Sequence, residues 1–60
     1  MKKCDMCDEE FDVIDAEYIF KSYLVDRGYS EDILQAVFSK WFDDDKCGWC
    51  NVGYFRDNAT

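Results

Sequence analysis

Four cysteines carry the chemistry available to this sequence: Cys4 and Cys7 near the start, then Cys47 and Cys50, each pair spaced Cys-x-x-Cys. A two-residue gap lets both sulfurs of a pair reach one tetrahedral ion, and two pairs supply a complete set of four soft ligands. With every coordination position taken by sulfur, such a centre has no open place for water or substrate. Its work is structural, because metal binding then contributes directly to folding free energy. Zinc, one ion per chain, is the expected metal, and iron held by the same four thiolates is the alternative. Four thiolates around a divalent ion leave excess negative charge, which Lys2, Lys3 and Lys46 lie near enough in sequence to offset.

A second chemistry is redox exchange by Cys47-Gly48-Trp49-Cys50 acting as a dithiol. Such a pair is expected at a helix N-terminus in a strand-helix fold, and the presence of the other pair argues instead for shared ligation. Nothing else reads as catalytic. The chain has no histidine to act as a base, no glycine-rich phosphate loop and no free metal position to activate water. The expectation is a protein that is not an enzyme.

Thirty-nine residues separate Cys7 from Cys47, and these must return the second pair to the first. Two helical patterns can do so. Over residues 12–27, Val13, Ala16, Ile19, Phe20, Tyr23 and Leu24 fall on one face at a period near 3.6. Asp12 is placed to cap this helix, with Asp15 in the reciprocal position and Phe11 able to pack back on Ala16. Ile14, Tyr18 and Val25 form a second apolar strip. Gly28 can end the helix, with Arg27 favourably placed in its last turn.

A second helix is predicted over residues 30–43. Ser30 gives the stronger of the two cap signals, followed by Glu31 and Asp32 at the positive end of the dipole. Ile33, Val37 and Trp41 form one ladder and Leu34, Phe38 and Phe42 another, with Asp43, Asp44 and Asp45 in a solvated exit. Helices of about these lengths, at 1.5 Å per residue, nearly cancel one another's displacement if antiparallel. The predicted fold is therefore a single domain over residues 1–60, small and mostly α. It is an antiparallel helical hairpin with knuckles 4–7 and 47–50 at both chain ends clasping one metal. Residues 51–56 read as a short strand or a single turn, and residues 57–60 as loose.

The Cys-x-x-Cys openings resemble the knuckles of zinc ribbons and treble clefs over about ten residues at each end. Those families place a strand hairpin between or beside the knuckles, whereas the sequence pattern here offers two helices. The resemblance therefore implies metal ligation and transfers no function to any residue.

Composition bounds the rest. Sixty residues bury too little surface for a hydrophobic core to be comfortable alone, which is where a metal clasp would help. The net charge of −7 disfavours direct contact with nucleic acid or an anionic membrane. No apolar stretch is long enough to span a bilayer, and the Met1 to Asp5 opening does not read as a signal peptide. A reducing, cytoplasmic location is expected.

These exclusions leave a non-catalytic, zinc-stabilised acidic module that binds a protein, as an adaptor or inhibitor of a larger one. Eleven aromatic rings exceed what two helices easily hide. Tyr18, Tyr29 and Trp49 are candidate partner anchors. Trp49, inside a knuckle, is first expected to fold over the metal. Homodimerisation through Tyr18 and Val25 is an alternative use of that strip. A further alternative is a nucleic-acid mimic that fills the basic groove of a DNA- or RNA-binding protein, with Glu9, Glu10, Asp43, Asp44 and Asp45 as its charges.

Overall fold

In a computed structural model of the protein, which describes residues 1–59, the chain opens with a strand hairpin. Strands β1 (Lys2–Lys3) and β2 (Glu10–Phe11) pair antiparallel, with Lys2 opposite Phe11 and Lys3 opposite Glu10. Cys4 and Cys7 sit in the loop between them. The hairpin beside a knuckle, for which the helical pattern left no room, is therefore present in addition to the helices. Two-residue strands are too short to show period-two alternation, so the sequence carried no signal for them.

Helix α1 (Val13–Asp26) starts as expected: the Asp12 carboxylate accepts the Ile14 N–H at 2.9 Å. Ala16, Phe20 and Leu24 form its buried ladder, and Phe11 packs in one cluster with Ala16. The helix ends at Gly28, whose φ of +86° is in the left-handed region. There Gly28 N–H donates to the Val25 carbonyl at 3.0 Å and Tyr29 N–H to that of Leu24 at 3.2 Å, so two otherwise orphaned carbonyls are satisfied.

Helix α2 (Glu31–Trp41) is shorter than the sequence pattern. Phe42 leaves it in an extended conformation with ψ of 132°. Ser30 stands at the cap position with no side-chain cap bond, so the order of the two cap signals is reversed. Leu34 is its buried residue, with Val37, Phe38 and Trp41 packed alongside, whereas Ile33 is half exposed.

The main correction is a third helix, α3 (Gly48–Ala59), where a short strand or turn and a loose end were expected. Its buried residues are Gly48, Asn51, Val52 and Phe55, a helical i, i+3, i+4, i+7 set. Two of the four are a glycine and an asparagine, which no hydropathy pattern scores as core.

Phe20 is the centre of the fold: fully buried, it meets Phe38, Phe42 and Phe55 with ring centroids 6.1, 5.8 and 5.9 Å away. Phe55 on α3 also meets Tyr29 and Trp41, which locks all three helices together. A second cluster of Cys4, Phe11 and Ala16 lies under the hairpin. Phe42 packs against both clusters and so links the helical core to the cysteines. Among the described residues, no helix is long and apolar enough to cross a membrane.

Candidate metal centre

The topology brings the four cysteines together. Their Sγ atoms all lie within 4.8 Å of one another, with Cys7 and Cys47 at 3.8 Å. A tetrahedral ion with metal–sulfur bonds of about 2.3 Å has sulfur–sulfur edges of about 3.8 Å. A disulfide would need about 2 Å. The donor set and its spacing thus fit one four-coordinate ion, and the chain is a small, mostly helical domain with a cysteine cluster able to chelate a metal. Zinc and iron both suit it.

The first pair is held by the hairpin loop. Cys4 N–H donates to the Glu9 carbonyl at 2.8 Å, and the Cys4 carbonyl accepts Asp8 N–H at 2.9 Å. The loop closes through Asp8, whose φ of +64° is in the left-handed region that aspartate tolerates better than most residues. Cys4 is almost wholly buried, and its Sγ receives the N–H groups of Met6 and Cys7, each at 3.4 Å. Burial opposes ionisation of Cys4, but backbone donors from Cys47, Cys7 and Met6 outweigh it and lower the thiol from 9.0 to about 6. The same backbone donors favour the thiolate form that metal ligation requires.

The second pair straddles the start of α3, with Cys47 just before the helix and Cys50 in its first turn. Gly48 between them is pressed on α1. A β-carbon there would lie 2.6 Å from Ile19 Cβ and under 3 Å from two further Ile19 atoms, so only glycine allows α3 to approach this closely. Asn51 follows Cys50 and is 0% exposed. Its side-chain carbonyl accepts Asp43 N–H at 2.8 Å, while its amide donates to the carbonyls of Asp43, Lys46 and Cys47 at 3.1, 3.0 and 3.1 Å. One side chain thereby fixes the whole approach to the second pair. The two pairs are also tied directly, by Asp5 N–H to the Asp45 carbonyl at 2.9 Å.

The helix N-terminus expected of a redox dithiol is thus present at Cys47 and Cys50, contrary to the argument from fold. The geometry points the other way: the Sγ atoms of Cys4 and Cys7 lie within 4.8 Å of this pair, so all four sulfurs form one ligand set. Burial, followed by the neighbouring sulfurs of Cys47, Cys4 and Cys7, pushes the Cys50 thiol well above its ordinary range.

The proposed partner residues separate into two groups. Tyr18 and Trp49 are 63% and 71% exposed, so Trp49 does not fold over the sulfurs. With Ile19, Tyr23 and Asp26 they line a groove of about 310 Å³. Glu9, Glu10 and Asp44 are exposed. Tyr29 is turned inward as the residue after Gly28, packing on the core and meeting Phe55 edge-on at 6.4 Å. Asp43 and Asp45 are not a frayed acidic exit. Asp43 Oδ1 accepts Asp45 N–H at 2.9 Å and Oδ2 takes Lys46 Nζ at 2.7 Å, while Lys2 pairs with Asp45 at 3.0 Å. The Lys46 hydrogen bond, then that of Asp45 N–H, holds the Asp43 carboxyl below its usual range, and the same contact with Asp43 raises Lys46. Lys46 also lies 3.6 Å from Asp5.

Sequence reasoning missed the roles of Gly48 and Asn51, and placed Ile19 on the core face of the first helix without its contact with Gly48. The available signals were a glycine inside a Cys-x-x-Cys and an asparagine directly after it. Compared with models of known protein families, with curated proteins and with solved structures, the chain finds no match.

Proposed function

We propose that the protein is a non-catalytic module, stabilised by one structural zinc, that binds another protein as an adaptor or inhibitor. The observation that carries this reading is the separation of the sulfur cluster from the exposed rings. The four sulfurs converge on one another with no fifth His, Cys, Asp or Glu donor among the described residues, while Tyr18 and Trp49 stand exposed on a shared groove. Large rings left in water next to a concave apolar surface are the usual makings of an interface anchor. A nucleic-acid mimic is the weaker reading, because Asp43 and Asp45 spend their charge on Lys46 and Lys2.

The test couples metal analysis to affinity recovery from native lysate, comparing the parent chain with Tyr18→Ala and Trp49→Ala. One zinc per chain is expected, with a specific protein recovered by the parent and lost with either variant at unchanged zinc content. Iron in place of zinc would change the metal and not the role. Recovery unaltered by both variants would remove these residues from the interface, and the absence of any metal would sink the structural reading.

A further inference from the structure

Charge is segregated on this molecule. The carboxylates beside the sulfurs, Asp5, Asp43 and Asp45, are paired with Lys46 or Lys2. Glu9, Glu10, Asp12 and Asp15 form no ion pair with lysine or arginine among the described residues, and all four line a cavity of about 260 Å³. That cavity meets the aromatic groove at Ile19 and Trp49, which line both. Among the described residues no lysine or arginine lines either one, although Met1 with the amino terminus lines the acidic cavity and Lys3 stands opposite Glu10 in the hairpin. At the other end the Arg27 guanidinium lies over the Tyr23 ring, 5.7 Å from the centroid.

Resting on the protein-binding reading above, we propose that this continuous groove receives a basic amphipathic segment of another protein. Its apolar side chains pack on Tyr18, Ile19 and Trp49, and its lysines or arginines lie over Glu9, Glu10, Asp12 and Asp15. Charge complementarity selects this occupant. A second copy of the chain would bring its own net charge of −7 to four carboxylates that hold no lysine or arginine ion pair among the described residues. The groove also depends on the metal centre. Trp49 lies between two ligands, Cys47 and Cys50, and Ile19 is the residue against which Gly48 packs.

The test titrates the zinc-loaded chain with a short amphipathic peptide of leucine and lysine, with the same composition scrambled to abolish its apolar face, and with a leucine–glutamate counterpart. Emission of Trp49 in a Trp41→Phe background reports contact, and calorimetry gives affinity. The leucine–lysine peptide is expected to bind about tenfold or more tightly than the scrambled one and to shift the emission to the blue. Trp49→Ala and Tyr18→Ala should each weaken it by about tenfold. A Glu9→Gln, Glu10→Gln, Asp15→Asn variant should weaken it and flatten its salt dependence, and Asp44→Asn should leave it unchanged. Apart from Trp41, which packs on Phe55, these positions are exposed, and matching zinc content and circular dichroism verify the fold of each variant.

Equal binding of the scrambled peptide, no binding of either, or insensitivity to Trp49→Ala would overturn the groove assignment. So would a dimer in native mass spectra that Trp49→Ala dissolves, since the occupant would then be a second copy. The two readings fail separately. A lysate partner retained through other residues keeps the protein-binding role without this groove, and peptide binding without any lysate partner does the opposite.

Discussion

At the scale of single residues, Asn51 and Gly48 determine whether the second cysteine pair can stand where it does. Asn51→Ala removes one acceptor and three donations inside a fully buried pocket, leaving Asp43 N–H without its partner. The expected loss is about 2–4 kcal/mol in denaturant unfolding of the metal-loaded protein. Asn51→Asp should be worse, because a carboxylate would face three carbonyl oxygens. Gly48→Ala drives a methyl group into Ile19 and is expected to cost about 1–3 kcal/mol. An Ile19→Val, Gly48→Ala double variant should recover part of that loss in the same measurement if the contact is the cause, and none of it if the glycine serves only a backbone conformation.

At the scale of elements, α1 and its ends were legible and α3 was not. Phe20 and Leu24 announce α1 by period, and Gly28 announces its end. The face of α3 is built from a close approach at Gly48 and a polar staple at Asn51, both of which exist only once α1 and the 43–47 segment are in place. Tyr29 was misjudged for a related reason: the turn geometry after Gly28, not hydropathy, aims it inward. Asp43, Asp44 and Asp45 were read as a solvated exit because the pairings of Asp43 and Asp45 with Lys46 and Lys2 are tertiary or turn-specific.

That segment makes a pH prediction. The lowered Asp43 carboxyl contributes stability that is fully present above its unfolded value of 3.8 and lost as pH falls through the lower folded value. The raised Lys46 contributes stability present below 10.5 and lost as pH climbs through its folded value. The stability difference between the parent chain and Lys46→Gln should accordingly be flat at neutral pH and shrink above 10.5. Partial exposure of Asp43 keeps the difference small, of the order of 1 kcal/mol or less. A difference that persists undiminished at high pH would mean that packing of Lys46 over the Tyr54 ring, and not its charge, is what matters.

For the molecule as a whole, the cysteine spacing and the two amphipathic periods were enough to foresee a mostly helical fold with both pairs converging. The strand hairpin and the third helix were invisible because neither has a local pattern of its own. Convergence would make a metal bound there a global determinant. Chelation, or Cys47→Ser, is expected to abolish cooperative thermal unfolding, since structural zinc sites in small domains contribute on the order of 10 kcal/mol. Retention of a sharp transition at the parent midpoint after chelation would show that the helical core around Phe20 suffices alone.

The same convergence fixes how the molecule would carry mechanical load. Cys4 and Cys50 bracket β2, α1, α2 and the 43–47 segment, leaving β1 and most of α3 outside the clasp. Tension applied at Lys2 and Ala59 would therefore peel β1 and α3 and then stop at metal–sulfur bonds, with α1 and α2 shielded from force. In single-molecule pulling the metal-loaded chain should show a short first extension and a high final rupture, and the metal-free chain should pay out its whole contour at low force.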